Sequence, residues 1–307
     1  MMQVARLEVY GSLSGEAKKT TRRQGSKHVE AKIAYEIAHS ANVIARWCGM
    51  RDARSMSDLV RAATSPEGEP ADLFVLFGGG VIGSADMLAH AMKAGAARRY
   101  AIVGGRGHAT YWLDQAYERE QAQWDDACED DPEPYVASEA EMLNAVLRHR
   151  HGRAADLLEC LSTNCGNNIT YLLDLLEGEQ LAPACIILCQ DAVMQRRMDT
   201  TWQRQVCDRP RFSATRVLNW ASYQAELTAG EGGLTWAKAP EGIWSIDKYL
   251  QLLMGEVARL TDDAQGYGPN GRDFVVHVEV PSEVTDACER LKALLGEEGR
   301  PPDERYA

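Results

Sequence analysis

Two glycine-rich runs are the first places where this sequence could do chemistry. Gly78, Gly79 and Gly80 follow the apolar run Leu73-Phe74-Val75-Leu76-Phe77, and Gly104, Gly105, Arg106, Gly107 and His108 follow Tyr100-Ala101-Ile102-Val103. Glycine lets backbone amides approach a ligand closely, and a helix N-terminus behind such a turn favours negative charge. Gly78, Gly80 and Gly83 match G-x-G-x-x-G between a strand and a helix. The dinucleotide form of that motif also needs an acid about twenty residues on, at the end of the second strand, to hold a ribose. Here that strand ends in Gly104-Gly105-Arg106, so the spacing argues against an ordinary NAD site. The plain alternative is that these glycines only make tight turns.

Further candidates follow along the chain. His108 stands beside glycines and Arg106, where it could exchange a proton; as a single histidine it could equally cap a helix or face solvent. Glu139 opens a helix, as a second acid-base candidate or as a charge favoured at a helix N-terminus. Asn164, Asn167 and Asn168 offer amide donors and acceptors in one loop, or simply form its turn. Gln190 and Asp191 end a later strand, and Arg196 and Arg197 follow on the next helix, where Arg196 is the candidate to pair an acidic ligand bidentately and the plain alternative is a solvated arginine. No H-E-x-x-H, G-x-S-x-G or Walker loop is present, and the histidines and cysteines do not show metal-ligand spacing, so no metal is expected.

The elements that must position these residues are readable from periodicity. The run ending at Phe77 fits a strand buried on both faces, as in a parallel sheet. Strand, helix and strand between 73 and 103 make a βαβ unit. Ligands of such sheets bind beyond the carboxyl ends of the strands, where all these turns lie. Residues 157–161 and 184–189 read as further strands, and 216–220 as a last one. Helices are predicted over 26–47, 84–93, 138–149, about 166–176, about 193–206, 243–260 and from 282. Ser138 with Glu141 forms a capping box. Residues 118–134 read as an acidic surface loop, 262–272 as a turn-rich loop, and 274–280 alternate apolar with other residues. The expected organisation is a flexible tail (1–25), an α/β domain (26–235), a smaller, mainly helical C-terminal extension packed on it (236–296) and a loose tail (297–307).

Composition bounds the partners. The 307 residues carry a formal charge of -12, which repels phosphate backbones and makes nucleic acid an unexpected partner. No window approaches a membrane span, and the N-terminus lacks a long apolar stretch before a cleavage site. Eight cysteines without a C-x-x-C pair suit free thiols in a cytoplasmic protein. The expected partner is a small molecule, and the sequence leaves the oligomeric state open.

Longer motifs add a resemblance. The run Ser162-Thr163-Asn164-Cys165-Gly166-Asn167-Asn168, then Gln190-Asp191 and Met194-Gln195-Arg196-Arg197, resembles the YdcF-like branch of the SanA/ElyC/YdcF domain family. So do Gly104-Gly105-Arg106-Gly107-His108 and, towards the C-terminus, Gly242-Ile243-Trp244, Gly266-Tyr267-Gly268-Pro269, Gly271-Arg272-Asp273-Phe274 and His277-Val278. The likeness runs over roughly residues 28–295. It implies a Rossmann-like α/β fold and binding of S-adenosyl-L-methionine, with no established reaction. Two positions depart from the pattern: Met194 stands where other branches have histidine, and Asn167 where this branch has glutamate. Three functions stay open on this reading: an S-adenosylmethionine-binding protein, with or without transferase activity; a hydrolase or transferase of a phosphorylated or nucleotide-like molecule, with His108 as acid-base; and a non-catalytic ligand sensor.

Overall fold

The computed structural model describes residues 20–124, 137–230 and 232–296, with side chains from residue 30 onward. Five strands form an all-parallel sheet: β1 (Ala71–Phe77), β2 (Ala97–Val103), β3 (Leu157–Glu159), β4 (Cys185–Cys189) and β5 (Arg216–Asn219). Their order is β3-β2-β1-β4-β5. The chain builds outward from β1 to β3, then crosses back to the other side of β1 for β4 and β5. The order therefore reverses between β1 and β4, the place where open parallel sheets leave a crevice at their carboxyl edge.

Alternation along β1 assigns the two faces. Phe74 and Leu76 pack with Leu88 of α3 (Ser84–Ala94) and with Leu143 and Leu147 of α5 (Glu139–His151). Leu73, Val75 and Phe77 pack with Leu172 of α6 (Cys165–Gly178) and with Met198 and Trp202 of α7 (Gln195–Val206). Both faces are covered, which is why β1 and β4 read as unbroken apolar runs rather than alternating ones.

A third layer closes over the strand ends. It joins α1 (Thr20–Cys48), the antiparallel hairpin of β6 (Glu226–Gly230) and β7 (Gly233–Lys238), α8 (Ile246–Leu260) and α9 (Ser282–Leu295). Val81, Ala192, Val193, Ala221 and Tyr223, from the turns after β1, β4 and β5, belong to the same apolar cluster. The C-terminal helices thus form a cap on the carboxyl edge of the sheet together with α1, which the sequence pattern assigns to the α/β domain.

Several boundaries differ from expectation. The helix predicted from 26 starts at Thr20, so 20–25 are helical rather than tail; 1–19 and the expected tail 297–307 lie outside the described residues. Much of the acidic loop, 125–136, is also outside them, while 118–121 belong to α4 (Thr110–Gln121). The short helix α2 (Met56–Ala63), capped by Ser55, occupies a stretch too brief to show a helical period. Residues 274–280 form no strand despite their alternation; Phe274 and Val275 donate to the Tyr267 carbonyl instead.

The predicted capping box at α5 is present: the Ser138 hydroxyl accepts from the Glu141 amide, and Glu141 accepts from the Ser138 amide at 2.8 Å. Ser138→Ala should lower the unfolding free energy by about 1 kcal/mol in equilibrium urea titration. An unchanged midpoint and slope would show that this cap contributes nothing.

Candidate functional site

The site is built from the turns after β1, β2 and β4 and from the first residue of α5. Gly78 and Gly104 lie side by side at the ends of β1 and β2, and neither leaves room for a side chain. A Cβ on Gly78 would stand 2.5 Å from Glu139 Oε2, and one on Gly104 would stand 2.9 Å from the Gly78 Cα. The missing side chains make the slot that Glu139 fills. The α5 amides secure it there: Glu139 donates to the Gly105 carbonyl and Ala140 to the Gly104 carbonyl, each at 2.8 Å.

Glu139 is 6% exposed. Its Oε1 accepts from the Thr110 hydroxyl at 2.6 Å, and that hydroxyl accepts from the Gly107 amide at 2.7 Å. Burial pushes the carboxyl up to about 7 against the opposing pull of the Thr110 hydrogen bond and the Arg106 charge. Glu139 can therefore hold or release a proton near neutral pH, a property of acid-base groups and also of buried structural ones.

The first glycine turn is the open one. Gly79 meets no crowding: a Cβ there would be 3.5 Å from Gln190 Oε1 and 4.0 Å from Asp191 Cβ, across the β1–β4 crevice. Among the described residues, the amides of Gly79, Gly80 and Val81 make no backbone hydrogen bond, although all three residues are buried. Buried amides of this kind are normally partnered. Gln190 spans the crevice, donating through Nε2 to the Gly78 carbonyl at 3.1 Å.

The second turn is closed. The Gly105 amide donates to the Ser162 hydroxyl at 3.1 Å, and a Cβ on Gly105 would collide with the Ser162 carbonyl oxygen. Gly105 thus serves close packing of the turns after β2 and β3, and its amide does not face a ligand. Gly80 is likewise taken up by contact, since a Cβ there would run into the Trp244 indole from the cap. Arg106 forms a bidentate pair with Asp114, at 3.2 and 2.7 Å, and donates to the Ala137 carbonyl at 2.6 Å. His108 is half-buried in the turn before α4, two residues from Thr110.

Asn164 caps α6: its Oδ1 accepts from the Asn167 amide at 2.9 Å, and its Nδ2 donates to Asn167 Oδ1 at 3.0 Å. Thr163 donates to the same Asn167 oxygen. This asparagine cluster accounts for itself as a helix cap; Asn168 is buried one position on. Asp191 is 3% exposed, and both its oxygens are engaged. Tyr223 Oη donates to Oδ1 at 2.6 Å, the Val193 amide to Oδ1 at 2.9 Å, and Trp244 Nε1 to Oδ2 at 3.2 Å. Burial raises its pKa, opposed by those hydrogen bonds. Asp191 ties the cap to the sheet edge.

Arg196 also faces elsewhere. Its Nε donates to the Trp47 carbonyl at 2.7 Å, with the guanidinium over the Trp47 ring, so it braces α1. The inward residue is its neighbour. Arg197 pairs with Glu256 of α8, Nε to Oε2 at 2.9 Å, in an approach that lacks hydrogen-bond alignment. Glu256 is also paired with Arg259 at 3.2 Å. Burial opposes the charge on Arg197, but Cys165, Glu256 and Tyr267 hold it protonated. The Cys165 thiol at the start of α6 is raised by burial, with the charges of Glu256 and Glu139 adding to the rise and those of Arg197 and Arg259 opposing it. Consecutive helical residues point about 100° apart, and nothing local in Arg196-Arg197 says which of the two turns inward.

No family model matches the chain. Among the described residues, no helix is long and apolar enough to cross a membrane, and no group of three or more His, Cys, Asp or Glu could hold a metal ion.

Glu139 makes a signed pH prediction. Its folded pKa lies above its unfolded one, so between about pH 4.5 and 7 the native state holds the extra proton and stability falls as pH rises. Glu139→Gln removes this term. The stability of the variant relative to wild type should climb across that window, by on the order of 3 kcal/mol, and level off above it. A difference that stays flat with pH would show that Glu139 titrates normally.

Proposed function

We propose that the chain binds S-adenosylmethionine, or a closely similar nucleoside-bearing amino acid, in the crevice between the β1 and β4 turns. The observation that carries this reading is the uncrowded Gly79 at that crevice, where the buried amides of Gly79, Gly80 and Val81 make no backbone hydrogen bond among the described residues. Glu139 and Arg197 add two opposite charges. Glu139 has one oxygen engaged by Thr110. Among the described residues, the terminal nitrogens of Arg197 donate no hydrogen bond. An amino-acid end carries an ammonium and a carboxylate together, which a carboxylate and a guanidinium can each recognise. The uncrowded Gly79 and the unpaired amides beside it supply the close backbone approach that a nucleoside needs. The YdcF-like resemblance favours the same ligand. Whether the bound molecule is then consumed depends on Glu139, the buried group whose proton is mobile near neutral pH.

A second reading has one observation in its favour. A carboxyl near pH 7 beside an arginine also suits hydrolysis or transfer on a phosphorylated ligand, with Glu139 as general acid-base. Here Glu139 takes the role that the sequence offered to His108.

Proton linkage separates the two. A cationic sulfonium and ammonium near Glu139 lowers its pKa, so S-adenosylmethionine binding at pH 6–7 should release protons. A nucleotide phosphate raises it, and binding should take protons up. Calorimetry in buffers of different ionisation enthalpy reads the sign, and heats independent of buffer would remove Glu139 from the site. Arg197→Lys keeps the charge against Glu256 but loses the planar fork, and should weaken S-adenosylmethionine binding by on the order of tenfold. Arg196→Lys should leave the affinity unchanged. The reverse ranking would relocate the ligand.

A further inference from the structure

A cavity whose lining includes neither Glu139 nor Arg197 lies at the C-terminal end of α1. It is an open cleft of about 660 Å³ between the C-terminal end of α1, the loop 49–54 and residues 223–226. That volume suits a small organic molecule. Its inner wall includes Ala192, Tyr223 and Tyr249.

The charge of the cleft is opposite to that of the chain. Arg46, Arg51, Arg54 and Lys238 line it against a single carboxylate, Glu226, in a protein whose formal charge is -12. Arg51 is committed to the fold: it donates to the Ala221 carbonyl at 2.8 and 2.6 Å and lies over the Trp220 ring. Arg46 and Arg54 are exposed, and among the described residues neither joins an ion pair. Among the described residues Lys238 reaches Gln224 Oε1, at 3.2 Å, and joins no ion pair. Surface arginines are usually solvated, so the cations alone would say little. The inner wall supplies the second observation. Tyr249 is 1% exposed, and its hydroxyl is a buried polar group with no hydrogen-bond partner. Such a group in a native structure calls for an explanation, and a bound molecule is one that also accounts for the cations beside it. Tyr249 places that hydroxyl where a cationic cleft meets the core.

We infer that this cleft is a binding site for a small aromatic or sugar-like molecule bearing a phosphate or carboxylate, its anion held by Arg46, Arg54 and Lys238 and its uncharged end turned toward Tyr249. Its lining includes neither Glu139 nor Arg197, and it meets the crevice proposed above at Tyr223, which donates to Asp191. A concentration of cations on an acidic protein also raises the local concentration of anionic ligands.

The probes are phenyl phosphate, benzoate, benzyl alcohol and inorganic phosphate, each titrated against the full chain by ligand-observed NMR and thermal shift. Phenyl phosphate should bind best, with inorganic phosphate or benzoate weaker and benzyl alcohol weakest. Arg46→Glu with Arg54→Glu should lower phenyl phosphate affinity by on the order of tenfold or more while the melting temperature holds, since both residues are exposed. Tyr249→Phe should weaken binding several-fold without lowering the melting temperature, because it removes an unpaired hydroxyl rather than a bond. Neither change should alter S-adenosylmethionine titrations. Absence of phenyl phosphate binding at millimolar concentration, equal affinity in the charge-reversed variant, or unaltered affinity in Tyr249→Phe would each overturn the assignment.

Discussion

A buried carboxylate governs how the two halves of this molecule meet. Asp191 leaves the end of β4 and is almost wholly removed from water. Burying an unpaired carboxylate costs several kcal/mol. The cost is offset by three donors from three parts of the chain: its own turn at Val193, the segment after β5 at Tyr223, and the cap at Trp244. Because each donor belongs to a different segment, satisfying the charge brings those segments together. The cap lies over the carboxyl edge of the sheet instead of on a helical face, and that position encloses the crevice between β1 and β4.

The packing around Asp191 explains the glycines better than a phosphate cradle does. Gly78 and Gly104 make room for Glu139, Gly80 for the Trp244 indole, and Gly105 for the neighbouring turn at Ser162. Of the glycines in these two turns that the sequence offered to a ligand, Gly79 is the one whose surroundings are uncrowded. The motif is built mainly for close approach within the chain, and Gly79 is what it leaves open at the β1–β4 crevice. In other proteins too, a G-x-G-x-x-G match can arise wherever a large side chain must lie on a turn, without any dinucleotide.

What could be read from the sequence follows how local each cause is. Strands β1 and β4 were legible because burial on both faces leaves a continuous apolar run, and α5 was legible because its cap lies within four residues of chain. The role of α1 was not, because its apolar residues face α8, α9 and the hairpin, which come late in the sequence. Arg197 was passed over for Arg196, since only the buried Glu256 on α8 distinguishes the two. The asparagines at 164 and 167 looked ligand-like for their density, which the cap of α6 itself accounts for.

The seat of Trp244 gives the protein an optical property of its own. The indole lies against Gly80 and donates its N–H to Asp191, so one chromophore touches the glycine turn at the crevice and a buried titratable group. Indole emission responds to the local electric field. Displacement of the first glycine turn, or a proton added to Asp191, would change the colour of that emission. The chain thus carries an intrinsic reporter at the junction of cap and sheet, readable without any label.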